Sequence, residues 1–335
     1  MNLDLPLIWA LIILLAVFMY VLLDGFDLGV GILFPTARND GERDLMMNSV
    51  APIWDGNETW LVLGGGGLLA AFPLAYAIIM PALYFPVLLM LIALIFRGVA
   101  FEFRFKATPS HRRIWDLSFT FGSVVATFSQ GLVLGGFLQG FEVDGRDFAG
   151  GPFDWLSLFS VFVGAGLVCG YALLGATWLI IKTEGELQER FYRLARPLLF
   201  VVLGFIVLVS AWTPLYYPFI AERWFSWPNL LYLSPVPILT AALAALLLRA
   251  LARRREIQPF VLSLGLFLLG YLGLGISLWP YAAPPSVTIW DAASTPSSLS
   301  FMLVGVLILL PIILFYTGYS YFVFRGKVRS GEGYH

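Results

Sequence analysis

The chain has 335 residues, 59% hydrophobic and 12% charged, with a formal net charge of -1. A soluble domain carries about 25% charged residues, so this composition and a mean hydropathy of +0.85 exclude a fold that covers itself with polar surface in water. The near-neutral balance gives no case for nucleic-acid binding, and the single Cys169 excludes a disulfide framework, a thiolate zinc site or an iron–sulfur cluster held by this chain alone.

A membrane-spanning helix needs roughly 20 mostly apolar residues. The chain offers nine such segments, at about 6–34, 50–72, 75–102, 114–140, 155–181, 197–215, 230–251, 258–280 and 298–324. The first is too long for a signal-peptide core and has no basic residues before it, so it reads as a retained helix. Pro214, Pro218, Pro228, Pro235 and Pro237 crowd the join between the sixth and seventh. No soluble domain and no internal repeat stand out, so 1–335 is expected to form one transmembrane domain.

Basic residues set the direction, because cytoplasmic loops collect Lys and Arg. With the N-terminus outside, the inner ends hold Arg38 and Arg43, then Arg97, Arg104, Lys106, Arg112 and Arg113. Lys182, Arg190, Arg193 and Arg196 follow, then Arg249, Arg253, Arg254 and Arg255, and finally Arg325, Lys327 and Arg329. Of the 20 Lys and Arg, Arg146 and Arg223 alone fall outside. An odd number of spans and a cytoplasmic C-terminus are therefore expected. Trp9, Trp155, Trp224, Trp227, Trp279 and Trp290 fall near outer ends, where amphipathic rings favour the headgroup layer.

The informative residues are acids within apolar segments. Asp24 and Asp27 lie late in the first span, Asp55 and Glu58 early in the second, and Arg97 ends the third on the same side. The i, i+3 spacing puts each pair on one helix face. A carboxylate at mid-bilayer costs about 2.5–3.5 kcal/mol, so such groups face the bundle, pair, or take up a proton. Two readings stay open: a structural ion pair of Asp24, Asp27 and Arg97, or a hydrated proton path through Asp55 and Glu58, with Asn57 and Thr59 beside them. The Gly64–Gly67 run lacks the context of a phosphate loop and reads as close helix approach, as do Gly25, Gly29 and Gly31. Asp291 reads as a helix cap.

Two histidines exist, His111 in a basic loop and the terminal His335, so no span offers an imidazole. Met19, Met80, Met90 and Met302 read as packing. The chain thus offers proton-capable acids and no metal-ligand set, and redox chemistry would need a partner to hold the metal.

Asp24-Gly-Phe-Asp-Leu-Gly-Val-Gly31, the Arg38–Arg43 stretch, Asn48-Ser-Val-Ala-Pro-Ile-Trp-Asp-Gly-Asn-Glu-Thr-Trp60, Phe96-Arg97 and Thr288-Ile-Trp-Asp-Ala292 resemble subunit II of cytochrome bd-type quinol oxidases along essentially the whole chain. The stretch Ile95–Arg104 is similar to the cyanide-insensitive branch. The resemblance implies an all-α polytopic protein of the bacterial inner membrane, with nine helices in two four-helix bundles plus one peripheral helix, a periplasmic N-terminus and a cytoplasmic C-terminus. It implies a haem-bearing subunit I as partner, ubiquinol and O2 as substrates of the complex, and a small single-helix subunit as a possible third member. It also implies two b-type haems and one d-type haem ligated by subunit I, and a structural quinone in this subunit. By the same resemblance Asp55 matches an acid of proton delivery, Trp60 a tryptophan near an oxygen entrance, and Asp24 and Asp27 the paired family acids; Glu58 is Gln in some members. No catalytic residue is expected in this chain, whose part would be to stabilise the haem subunit and supply proton and oxygen access. The rival is a secondary transporter or channel subunit, where intramembrane acids and broken helices are equally at home; a purely structural assembly subunit is the third alternative.

Overall fold

The computed structural model describes residues 3–329, so the terminal His335 lies outside the described residues. The helices are α1 Leu5–Leu33, α2 Asp40–Asn48, α3 Trp54–Ala71, α4 Pro73–Ala82, α5 Tyr84–Arg104, α6 Pro109–Gln139, α7 Leu158–Lys182, α8 Gly185–Tyr216, α9 Pro218–Phe225, α10 Asn229–Leu233, α11 Pro235–Ala252, α12 Ile257–Leu278, α13 Ile289–Ala292 and α14 Pro296–Val323. Two short antiparallel hairpins, β1 Val143–Asp144 with β2 Asp147–Phe148 and β3 Tyr281–Ala283 with β4 Val287–Thr288, sit in the loops opposite the basic end.

Among the described residues, eight helices are long and apolar enough to cross a membrane. The second expected segment is α3, whose Asp55, Asn57, Glu58 and glycines dilute its hydropathy; it is not among the eight, and it lies along α1. The expected span 75–102 is broken in two. Pro86 has no N–H to give to Ala82 and its ring crowds that carbonyl, so α4 stops at Ala82 and α5 starts at Tyr84. The sixth span is longer than expected, because α8 begins already at Gly185.

The packing follows the expected plan. α1, α3, α5 and α6 form one bundle, and α7, α8, α11 and α12 form a ring of four. α1 and α7 join the two, and glycines let their backbones touch. A Cβ on Gly29 would lie 1.9 Å from the Tyr171 carbonyl oxygen, and one on Gly175 would lie 2.3 Å from the Gly29 carbonyl carbon. In the run read as close approach, Gly64 and Gly67 do meet Val17 and Ile13 of α1, whereas Gly65 and Gly66 face open space. α14 is peripheral: of its 28 residues Leu299 alone is buried. It is pinned at one end by the Trp9 indole, which donates to the Leu299 carbonyl (3.0 Å). Asp291 does not cap the last helix: it lies at the third position of the short α13, taking hydrogen bonds from the amide and hydroxyl of its N-cap Thr288 in a capping box.

The basic end is tied by ion pairs. Arg104, fully buried, holds Asp44 and Asp116 at 2.5 Å each. Arg190 donates two bonds to Glu42, at 2.6 and 2.9 Å, and a third to the Thr36 carbonyl. Hydrogen bonds from Arg190 hold the Glu42 carboxyl below its ordinary value. A depressed folded-state value adds stability above the unfolded value near 4.5 and loses it as pH falls through the lower one. Glu42→Gln should therefore lower the thermal midpoint at pH 7, by an amount on the order of 1 kcal/mol, with the gap to wild type closing in acid below that range. Parallel melts at the two pH values read this directly.

Candidate proton-handling site

α1 carries Asp24 and Asp27 one turn apart, facing the bundle, and both are fully buried. α5 brings Arg97 to them, likewise without exposure. Its guanidinium lies 2.8 Å from Asp24, 3.9 Å from Asp27 and 3.6 Å from Glu58 of α3. Gly122 of α6 makes room: a Cβ there would stand 2.9 Å from the Arg97 amide nitrogen. Beneath the guanidinium lie the stacked rings of Trp54 and Phe101, with centroids 5.9 and 5.6 Å from Arg97 Cζ.

One guanidinium thus serves three carboxyl groups. A second or third negative charge in so dry a place is costly without further compensation. The cluster opens at Glu58, whose side chain is 26% exposed while those of Asp24, Asp27 and Arg97 are at 0%.

Asn57 closes the other flank. Its Nδ2 donates to Asp27 (2.7 Å) and to the Leu23 carbonyl (3.3 Å), and its Oδ1 accepts from the Tyr321 hydroxyl of α14 (2.9 Å). One turn before Asp24 on α1, Tyr20 accepts from Gln130 of α6 (2.7 Å), whose other amide atom accepts from Tyr171 of α7 (2.9 Å). Polar contacts thus continue from the cluster into the middle of the bundles.

Of the residues singled out in the sequence, Asp24, Asp27, Glu58 and Arg97 come together. Asp55 does not: it is exposed in the first turn of α3, outside the ion-paired cluster. Its position after Pro52 and Ile53 starts the helix rather than burying it, and its charge suits the positive helix N-terminus there. Thr59 is exposed as well, its hydroxyl turned back to the Gly56 carbonyl (2.6 Å). Trp60 is buried between α1 and α3 against Tyr20 and Ala16, 1% exposed, with its indole N–H unmatched. Tyr20, Gln130, Tyr171 and Tyr321 escaped notice in the sequence; the available signal was an amide and hydroxyls inside otherwise apolar spans.

No group of three or more His, Cys, Asp or Glu side chains suited to a metal is present among the described residues. His111, the one imidazole among them, is exposed at the start of α6 beside Thr108 (2.8 Å). The described residues therefore offer no pair of imidazoles to a haem iron.

The chain matches the family "Cytochrome bd terminal oxidase subunit II" over residues 5–324. It is 32% identical to cytochrome bd-I ubiquinol oxidase subunit 2 of Escherichia coli strain K12, over 97% of this chain and 95% of that one. It is 28% identical to cytochrome bd ubiquinol oxidase subunit 2 of Bacillus subtilis, over 97% of each. In fold it is similar to the bd oxidase structure from Geobacillus thermodenitrificans, with a TM-score of 0.75 and 19% identity over 96% of this chain and 99% of that one. A near-complete match in sequence and an all-helical multi-span fold converge: the chain belongs to the cytochrome bd terminal oxidase subunit II family, a multi-pass component of a quinol:oxygen oxidoreductase in the bacterial inner membrane.

Proposed function

We propose that this chain is the proton-handling and supporting subunit of its oxidase, packed beside a haem-bearing subunit I, with its N-terminus periplasmic and its basic end cytoplasmic. The reduction of O2 to water takes up four protons while quinol oxidation releases as many elsewhere, and a dry protein interior makes an unassisted proton prohibitive. The observation that carries the proposal is the convergence of Asp24, Asp27 and Glu58 on Arg97 with one acid, Glu58, partly open. Asp55, a turn earlier on α3, collects protons at the cytoplasmic level, Glu58 passes them on, and Arg97 keeps Asp24 and Asp27 in place as a reserve. Trp60 lines oxygen access. Subunit I would hold the two haems b and the haem d, which when bound would supply the electron transfer from quinol to O2. A structural quinone in this subunit and a small third subunit complete the proposed assembly, with ubiquinol and O2 as substrates.

Deleting this chain should abolish the haem d absorbance and quinol-driven oxygen uptake of the purified complex. A colourless chain that is stable alone and moves an ion would favour the transporter instead.

A further inference from the structure

We propose that the cavity at the basic end, between the last turn of α7 and the segment 324–329 that follows α14, binds the phosphate of an anionic phospholipid. The cavity holds about 300 Å³ and is lined by Asn48, Trp178, Lys182, Tyr321 and Lys327, with Pro52, Ile53 and Phe324 as apolar wall.

Lys182 is the anchor. It ends α7 and is only 4% exposed. Its amine donates to the Gly326 carbonyl (3.1 Å) and to that of Phe324, and lies 4.9 Å from the centre of the Trp178 ring. These contacts employ dipoles and a π-face, not a counter-ion: no carboxylate lies within ion-pair distance of Lys182 among the described residues. A buried ammonium of this kind is costly until an anion reaches it. Lys327 stands at the same cavity, hydrogen-bonded to the Thr183 carbonyl (2.9 Å) and paired with Glu256 (3.0 Å), yet its side chain keeps 25% exposure. The described lining therefore presents two cations and no acid.

Place and shape select a lipid over a free ion. The cavity lies at the ends of α7 and α14, where a span meets the headgroup layer, and α14 offers an almost wholly exposed apolar flank for acyl chains. A water molecule takes about 30 Å³ of liquid volume, so the space suits a group the size of a phosphoglycerol. Basic pockets between helices on the cytoplasmic side are where anionic headgroups bind. None of this depends on the proton path, because Lys182 touches none of its acids.

The test is native mass spectrometry of the delipidated, purified two-subunit oxidase, with haem absorbance as the check of assembly. Dioleoyl-phosphatidylglycerol should give a discrete adduct at a concentration on the order of tenfold lower than dioleoyl-phosphatidylcholine. Lys182→Met should raise that concentration about tenfold and Lys182→Arg should restore it. Should Lys182→Met not assemble, Lys327→Ala takes its place, with a smaller rise expected. Equal binding of the two lipids, or an unchanged adduct in these variants, overturns the proposal. Displacement of the lipid by millimolar inorganic phosphate also overturns it, by showing a site for the free ion.

Discussion

Arg97→Ala is expected to leave little intact complex. The substitution removes the one cation among Asp24, Asp27 and Glu58, two of which are wholly shielded from water. Breaking a buried pair costs about 3–5 kcal/mol, because the remaining charge keeps its desolvation penalty and loses its partner. That is a large part of the 5–15 kcal/mol typical of a folded domain. Yield of the two-subunit complex and its melting temperature, followed by haem absorbance, should both drop sharply. Arg97→Lys should recover part of the loss at most, since a point charge cannot reproduce a fork with one nitrogen at 2.8 Å from Asp24 and 3.6 Å from Glu58 and the other at 3.9 Å from Asp27. Replacing the partners as well, in Arg97→Met with Asp24→Asn and Asp27→Asn, should restore much of the stability. A triple variant as unstable as Arg97→Ala would show that ionic balance is not what the arginine provides.

Glu58→Gln is the second large effect, and it should fall on rate instead of stability. The amide keeps the shape of the side chain but cannot release a proton. A positioned acid–base group contributes 10²–10⁴-fold in catalysis; a conduit with water detours should lose on the order of tenfold in quinol-driven oxygen uptake, with the haem spectrum and melting temperature near wild type. Asp55→Asn should act in the same direction, more strongly at high pH, where protons in bulk water are scarce. The rate of proton uptake from the side of the basic loops, read with a pH dye on that side of vesicles holding the oriented complex, separates the two roles: a purely structural carboxyl would leave it untouched. If both variants consume oxygen and protons as wild type does, the relay fails.

Much of this arrangement was legible in the sequence for a simple reason. Charge is so costly in lipid that Asp24, Asp27, Glu58 and Arg97 could be picked out of apolar segments without coordinates, and helical spacing gave their shared faces. The same logic misplaced Asp55, because position in a chain does not say where a helix begins: Pro52 delays α3, and the acid is left on its first, exposed turn. Tyr321 was hidden for a different reason. It lies 264 residues from its partner Asn57, and no local pattern reports a contact made by a peripheral helix folding back on the first bundle. Lys182 read as one more basic residue at a helix end; its near-complete burial arises from the segment after α14 passing over it, with Val328 hydrogen-bonded to the Lys182 carbonyl (3.0 Å).

The Asn57 amide stands between the buried carboxyl groups and Tyr321, which lines the cavity at Lys182. A carboxamide neither gives up nor accepts a proton near neutral pH, so the line from the Tyr321 hydroxyl to Asp27 is an insulator with good hydrogen bonds at both ends. Water reaching Tyr321 from the Lys182 side meets a blocked wire. Under the proposed relay, protons would then reach the carboxyl trio past Glu58 and not past Tyr321, and a leak that would short-circuit the membrane voltage has one less route to follow.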